Sequence, residues 1–283
     1  MSSIIEKAPA KINLGLDIVG KREDGYHELS MIMVSVDLSD YVTVTEIDSN
    51  EIVIESNNHK MPLNGRNDVF KAAAMIRERY GISKGIKIVL EKSIPICAGL
   101  GGGSTDAAAT IRALNQLWDL NLSKSDMVSI GFEIGSDVPY CIEAGCSLIS
   151  GKGEVVECLD SRISSWVVLV KPEFGVSTRT VFPEIDCSTI SRVNIPALKE
   201  AILSQDYQAM ISHMGNSLED VTISRKPFIQ KIKDKMMKCG ADVALMTGSG
   251  PTVFALCQTE KKADRIVNGM RGFCKEVYKV RIL

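Results

Sequence analysis

The sequence predicts an α+β chain of two domains, residues 1–160 and 161–283. Three observations carry that expectation. A β-rich run over residues 4–54 gives way to helical patterns. At residues 95–109 a glycine-rich loop feeds straight into a helix. Beyond residue 160 the elements read β-α-β-β-α-β with extra helix, a split βαβ order.

The elements follow in order. K-I-N-L-G-L-D-I-V at 11–19 alternates apolar and polar residues, Asp24-Gly25 marks a turn, and residues 29–36, 41–45 and 51–54 continue the strands. Asn67 or Asp68 caps a helix whose Val69, Ala72, Ala73, Ile76 and Tyr80 share a face, and Gly81 ends it. Residues 86–90 form a strand leading into the glycine loop. Ser104 or Thr105 is expected to cap the next helix. Ala107, Ala108 and Ala109 favour that helix, and Ile111, Leu114, Leu117 and Trp118 give it a buried face. Ser123 with Asp126 approximates a capping box, and the helix it opens runs out at G-S-D-V-P, 135–139. Residues 146–149 and 155–158 form a hairpin through Gly151-Lys152-Gly153.

The strand at 166–170 is wholly apolar, as when both faces are covered. Helical patterns follow at 197–203, 207–218 and 227–238. Then come a strand at 243–246, the turn Thr247-Gly248-Ser249-Gly250, a strand at 252–257, a helix at 260–271 and a strand at 277–282. No internal repeat or low-complexity tract interrupts the chain.

Hydrophobic residues make up 45% and charged residues 24%, with 33 Lys and Arg against 35 Asp and Glu. That balance speaks against a nucleic-acid partner or a membrane surface. The longest apolar runs, about five residues, are far short of a membrane span. The N-terminal segment carries Glu6, Lys7 and Lys11 and lacks a signal-peptide core, so a cytoplasmic protein is expected, monomeric or weakly dimeric. Eight cysteines without a C-x-x-C pair, and only three histidines, give no expectation of a metal site made by the protein.

Gly99, Gly101, Gly102 and Gly103 fall within five residues. Glycines at a helix start turn several N–H groups toward one point beside the positive end of the dipole, an arrangement that attracts phosphate. No G-K-[ST] occurs, so this is not a Walker loop. A dinucleotide fingerprint begun at Gly99 fails at Ser104. A mobile linker is the alternative, although a strongly patterned helix closes the stretch. Gly102 is expected to reject a β-branched residue, through crowding of the backbone approach and a positive φ.

Three stretches now belong together: A-P-A-K-I-N-L at 8–14, P-I-C-A-G-L-G-G-G-S-T-D-A-A-A at 95–109, and M-T-G-S-G-P-T-V-F at 246–254. In that order and spacing they resemble the three signature motifs of the GHMP small-molecule kinases, and the resemblance spans the chain. It implies an N-terminal α/β domain like domain 2 of ribosomal protein S5, a ferredoxin-like C-terminal domain, ATP with Mg2+, and an alcohol acceptor. K-R-E-D-G-Y-H-E-L at 21–29, E-I-G-S-D-V-P at 133–139 and G-K-G-E at 151–154 are similar to members whose acceptor is a small cytidyl compound. A GHMP kinase with another alcohol acceptor, or a nucleotide-binding regulator on the same fold, is the alternative.

The resemblance also implies roles. Asp137 matches the catalytic aspartate, and Lys11 the lysine that pairs with it and with the acceptor hydroxyl. By residue type alone, Asp137 also suits a helix-terminal turn and Lys11 an outward strand position. Pro95, Ile96, Cys97, Ala98, Gly99, Leu100, Gly101, Gly102, Gly103, Ser104 and Thr105 match the ATP loop. Asn67, Asp68 and Lys92 match positions near the adenosine. Asn13 belongs near the acceptor hydroxyl or the phosphates. Tyr26 and His27 match a pair that holds cytosine, with Phe182 on the opposite side of the base; alone they would finish a hairpin. Gly248, Ser249 and Gly250 match the turn lining the substrate side. Cys97 departs from the small residue usual at its position.

Overall fold

The computed structural model describes residues 2–283. The first part comprises β1 (Ser3–Lys21), β2 (His27–Ile47), β3 (Ile52–Ser56), α1 (Asp68–Arg79), β4 (Gly85–Glu91), α2 (Gly102–Leu117), α3 (Lys124–Ile134), α4 (Val138–Glu143), β5 (Cys146–Gly151) and β6 (Val155–Cys158). The second comprises β7 (Trp166–Lys171), α5 (Thr178–Val181), a 3₁₀ turn, α6 (Ile195–Leu203), α7 (Tyr207–His213), β8 (Gly215–Asn216), α8 (Glu219–Arg225), α9 (Phe228–Lys238), β9 (Val243–Met246), β10 (Val253–Cys257), α10 (Glu260–Arg271) and β11 (Glu276–Arg281). Among the described residues no helix is long and apolar enough to cross a membrane.

The residues expected to form several short strands instead make two very long ones. At 21 residues, β2 pairs with β1 along one edge and with both β5 and β4 along the other, giving a seven-stranded sheet. Register shifts between Pro9 and Ala10, Asn13 and Gly15, and Ile18 and Gly20 let β1 bend across the sheet. The four-stranded sheet has the order β11-β7-β10-β9, antiparallel throughout, as the β-α-β-β-α-β reading requires.

Alternation explains how the two parts join. Val168 and Val170 share a core with Ile229, Ile232 and Ile266 of α9 and α10. Val167 and Leu169 belong to a second apolar cluster with Ala10, Ile12 and Leu14 of β1. Both faces of β7 are therefore covered, which accounts for its uninterrupted apolar sequence. The same holds for the middle of β1, buried from Ala10 to Ile18.

Three local expectations need correction. Tyr80 is 39% exposed, because it stands at the C-cap of α1, off the buried face. The segment 207–218 is not one helix. It breaks after His213, contributes β8 parallel to Gly15–Leu16, and is followed by α8, which had no sequence signal. The helix opened by Ser123 does run out at 135–139, with its C-cap at Gly135; a further short helix, α4, then begins with Pro139 in its first turn, where a missing N–H costs nothing. Neither Ser104 nor Thr105 caps α2. The N-cap is Gly101, left-handed at φ 71°, with no side-chain cap.

Candidate active site

Between the glycine loop, β1, the start of α4 and the turn at 247–250 lies a cleft of about 670 Å³. Its floor begins with Lys11 and Asn13, two apart on β1 and so on one face of the strand. Lys11 is only 4% exposed, not an outward strand charge. Its Nζ donates to Asn13 Oδ1 at 3.0 Å and lies 3.4 Å from Asp137 Oδ2. Asp137 is the N-cap residue of α4, and its side chain keeps 32% exposure on the cleft side. A cation held in apolar surroundings beside one partly open carboxylate suits a proton acceptor and its counter-charge.

The two glycine turns meet over this pair. Gly99 has φ 76°, and a Cβ there would fall 2.5 Å from Thr247 O and 3.0 Å from Gly250 O. A Cβ on Gly101 would fall 2.9 Å from Lys11 Cγ. Thr247 Oγ1 accepts from Asn13 N at 3.2 Å and donates toward Asn13 Oδ1 at 3.3 Å. Gly102, by contrast, lacks a positive φ; its Cβ would meet Ile94 and Lys92 side chains at 3.2 and 3.4 Å. The conformational demand expected of Gly102 therefore rests on Gly99 and Gly101. Gly99→Ala is expected to cost about 1–3 kcal/mol from the left-handed backbone alone. It should also weaken nucleotide binding, since the neighbouring backbone must retreat. Melting temperature and an ATP titration check both effects; unchanged values would remove the close approach from the site's construction.

Because no side chain caps α2, its first-turn N–H groups stay available beside the dipole's positive end. Beneath the loop runs a buried ionic cluster absent from the sequence expectations. Lys92 lines the cleft, yet its ammonium is committed: it donates to Asp106 Oδ2 at 2.5 Å and pairs with Asp40, both carboxylates buried. Asp40 Oδ1 also accepts from the N–H groups of Ser93 and Ile94 at 2.6 and 2.8 Å. Burial pushes the Asp106 carboxyl up to about 7; the Lys92 charge opposes that rise and Asp40 adds to it. Asp106 Oδ1 has no hydrogen-bond partner.

Asn67 caps α1 by accepting from Val69 N at 3.0 Å and, with Asp68, borders the cleft. At the far end of the cleft from the nucleotide loop, Phe182 lies on the lining, and its ring is 5.5 Å from that of His27 and tilted by 54°. Burial, and then the charge of Lys21, holds the His27 imidazole below its ordinary range, so the neutral ring prevails near pH 7. Tyr26 is 64% exposed, under the Lys152 ammonium; Tyr26, His27, Thr105 and Gly250 are not part of the cleft lining, and His27 meets it only through Phe182. Cys97 is exposed at φ 52° on the lining. Asn216 was not expected here; its Nδ2 donates to Met246 O and Gly248 O at 2.7 and 2.8 Å, fixing the second turn. Its position in sequence carried no signal. Among the described residues no group of three or more His, Cys, Asp or Glu is placed to hold a metal.

Residues 67–145 match the GHMP kinases N terminal domain and residues 198–276 the GHMP kinases C terminal domain. A Streptococcus mutans serotype c protein, provisionally named 4-diphosphocytidyl-2-C-methyl-D-erythritol kinase, is 72% identical, covering 99% of both chains. The chain belongs to the GHMP kinases. A Streptococcus uberis protein with the same provisional name is 67% identical to this GHMP kinase over the whole of both chains. A crystal structure of 4-(cytidine 5'-diphospho)-2C-methyl-D-erythritol kinase superposes with TM-score 0.83 at 28% identity, covering 99% of each chain. A homoserine kinase from Cytophaga hutchinsonii reaches TM-score 0.81 at 22% identity, covering 100% of this chain and 95% of its own, and shares the fold. This GHMP kinase thus has the two-domain architecture of its family, with the ferredoxin-like sheet in its second half.

Proposed function

We propose that the protein transfers the γ-phosphoryl group of ATP to the 2-hydroxyl of 4-diphosphocytidyl-2-C-methyl-D-erythritol, a step of non-mevalonate isoprenoid precursor synthesis. The relatives' names support the acceptor. The observation that carries the chemistry is the buried Lys11 facing Asp137 at 3.4 Å where the two glycine turns meet. In this reading Asp137 takes the proton of the attacking hydroxyl. Lys11, oriented by Asn13, favours the ionised oxygen. The N–H groups at the start of α2 receive the phosphates, and Asn67 and Asp68 border the adenosine. The segment 1–160 supplies the nucleotide loop, and 161–283 supplies the turn at 247–250 and Phe182.

Magnesium accompanies ATP in this proposal and neutralises charge on the β- and γ-phosphoryl oxygens when bound. The partnerless Oδ1 of Asp106 beside the loop fits a role toward such an ion, with phosphate oxygens and water supplying the remaining ligands.

Homoserine and mevalonate kinases share the fold, so the fold does not choose the acceptor. His27 and Phe182 favour a base: a neutral imidazole offers one donor and one acceptor nitrogen to a polar ring edge, and Phe182 offers an apolar face. In this reading Tyr26, 64% exposed beside His27, would take the side of the base opposite Phe182. Steady-state assays with the cytidyl acceptor, homoserine and mevalonate test the assignment; turnover of either other alcohol at comparable kcat/KM would overturn it. His27→Ala is expected to raise KM for the cytidyl acceptor about 5- to 100-fold, the range for a lost buried hydrogen bond or stacking contact, with KM for ATP nearly unchanged. A lower melting temperature with an unchanged acceptor KM would return His27 to a merely structural role.

A further inference from the structure

The cleft runs from the Lys11–Asp137 centre to Phe182, and α5 lies along it between the two. At its start Thr178 Oγ1 hydrogen-bonds Ser249 Oγ at 2.9 Å, in the turn whose Gly248 borders Lys11 Nζ. Immediately after its last residue, Phe182 packs against His27. The turn between is pinned: Val181 is 1% exposed, and the Thr180 carbonyl accepts from Arg225 Nη1 at 2.9 Å. Arg179 differs from these neighbours. It is exposed and lines the cleft, and among the described residues its guanidinium has no hydrogen bond and no ion pair.

The other cations on the lining are placed differently. Lys11 faces Asp137 and Lys92 is locked between Asp40 and Asp106. Lys152, on the acceptor side, is 3.3 Å from Asp24 Oδ2 and lies over the Tyr26 ring. Lys60 and Arg66 lie in the stretch before α1, where Asn67 Nδ2 donates to Pro62 O at 2.8 Å, on the nucleotide side. An arginine without a carboxylate, on a turn already ordered by its neighbours, costs little to immobilise. Its planar fork also matches phosphate oxygens.

We infer that Arg179 grips the diphosphate linking the acceptor's base to its reacting end, and so selects a nucleoside-diphosphate acceptor over a plain nucleoside or a small alcohol. This rests on the acceptor proposed above. A base held at Phe182 and a hydroxyl held at Asp137 oblige the linker to pass along α5, where Arg179 stands.

Cytidine and CDP, used as competitive inhibitors against the acceptor, separate the possibilities. In the unaltered enzyme CDP binds more tightly than cytidine. Arg179→Ala should weaken CDP about 10- to 100-fold, the range for a hydrogen bond to a charged group, while cytidine inhibition and KM for ATP stay as they were. Arg179→Lys should recover part of the loss, since it restores charge without the fork. The melting temperature should move little, because the exposed side chain makes no hydrogen bond or ion pair among the described residues. Unchanged CDP inhibition in Arg179→Ala would remove Arg179 from acceptor recognition and leave the acceptor assignment standing. A rise in KM for ATP alone would reassign the residue to the nucleotide. An unaltered enzyme that binds neither cytidine nor CDP would sink the acceptor assignment, and this inference with it.

Discussion

Asp137→Asn should lower turnover by about 10²- to 10⁴-fold, the usual cost of losing a general base, or about 3–5 kcal/mol on the barrier. The exchange keeps size and shape. It should leave the fold alone, because Asp137 caps α4 without a side-chain hydrogen bond and its carbonyl still accepts from Cys141 N. ATP binding should persist, since the N–H groups at the start of α2 and the Gly99–Thr247 contact do not involve this carboxylate. What disappears is the acceptor for the hydroxyl proton and the counter-charge of Lys11. The Lys11–Asn13 hydrogen bond at 3.0 Å keeps the ammonium in place, so the defect should fall on kcat rather than on KM for ATP. Turnover within a few-fold of normal, with intact melting temperature, would exclude Asp137 as the base.

The largest expected effect on stability belongs to Lys92→Met. Removing one member of a buried ionic group leaves the other charges unmatched, typically at a cost of about 3–5 kcal/mol. Here two carboxylates lose the cation they share, although Asp40 retains its bonds from Ser93 and Ile94 N–H. The loss should also depend on pH. Asp106 sits at about 7 in the fold against an ordinary value near 4 in the unfolded chain. A carboxyl raised in this way binds its proton more tightly when folded. Its contribution is full below about pH 4 and is lost as pH rises through about 7. Without Lys92 the opposing charge is gone, so that decline should steepen and extend to higher pH. Melting curves between pH 5 and 8 for the unaltered protein, Lys92→Met and Asp106→Asn check this. Asp106→Asn should flatten the slope; equal slopes in all three would show that the cluster does not titrate.

The features legible in the sequence are those written locally. The glycine loop announces α2, and the alternating elements after residue 160 announce the 4-1-3-2 pairing of the second sheet. Asn67 and the Ser123–Asp126 capping box appear where their side-chain chemistry placed them. The reacting pair was legible only through motif resemblance. On its own, Lys11 between two apolar residues reads as a surface charge; its burial comes from the covering of both faces of β1, which no local window shows. The ionic cluster was hidden for a similar reason. Asp40 lies in a polar stretch between two halves of β2, and its partners arrive 52 residues and more downstream. Likewise β8 is two residues long, set by pairing with Gly15–Leu16 rather than by propensity.

The hydrogen bond from Asn13 N to Thr247 Oγ1 joins positions 234 residues apart. On a ribosome adding residues at roughly 5–20 per second, Asn13 waits on the order of 10–50 s for that partner. Through that interval the glycine loop and α2 have already been made, but the lid of backbone that Thr247 and Gly248 place over Lys11 has not. A fragment released or stalled before this point therefore lacks a closed reacting centre, however well its first sheet has formed.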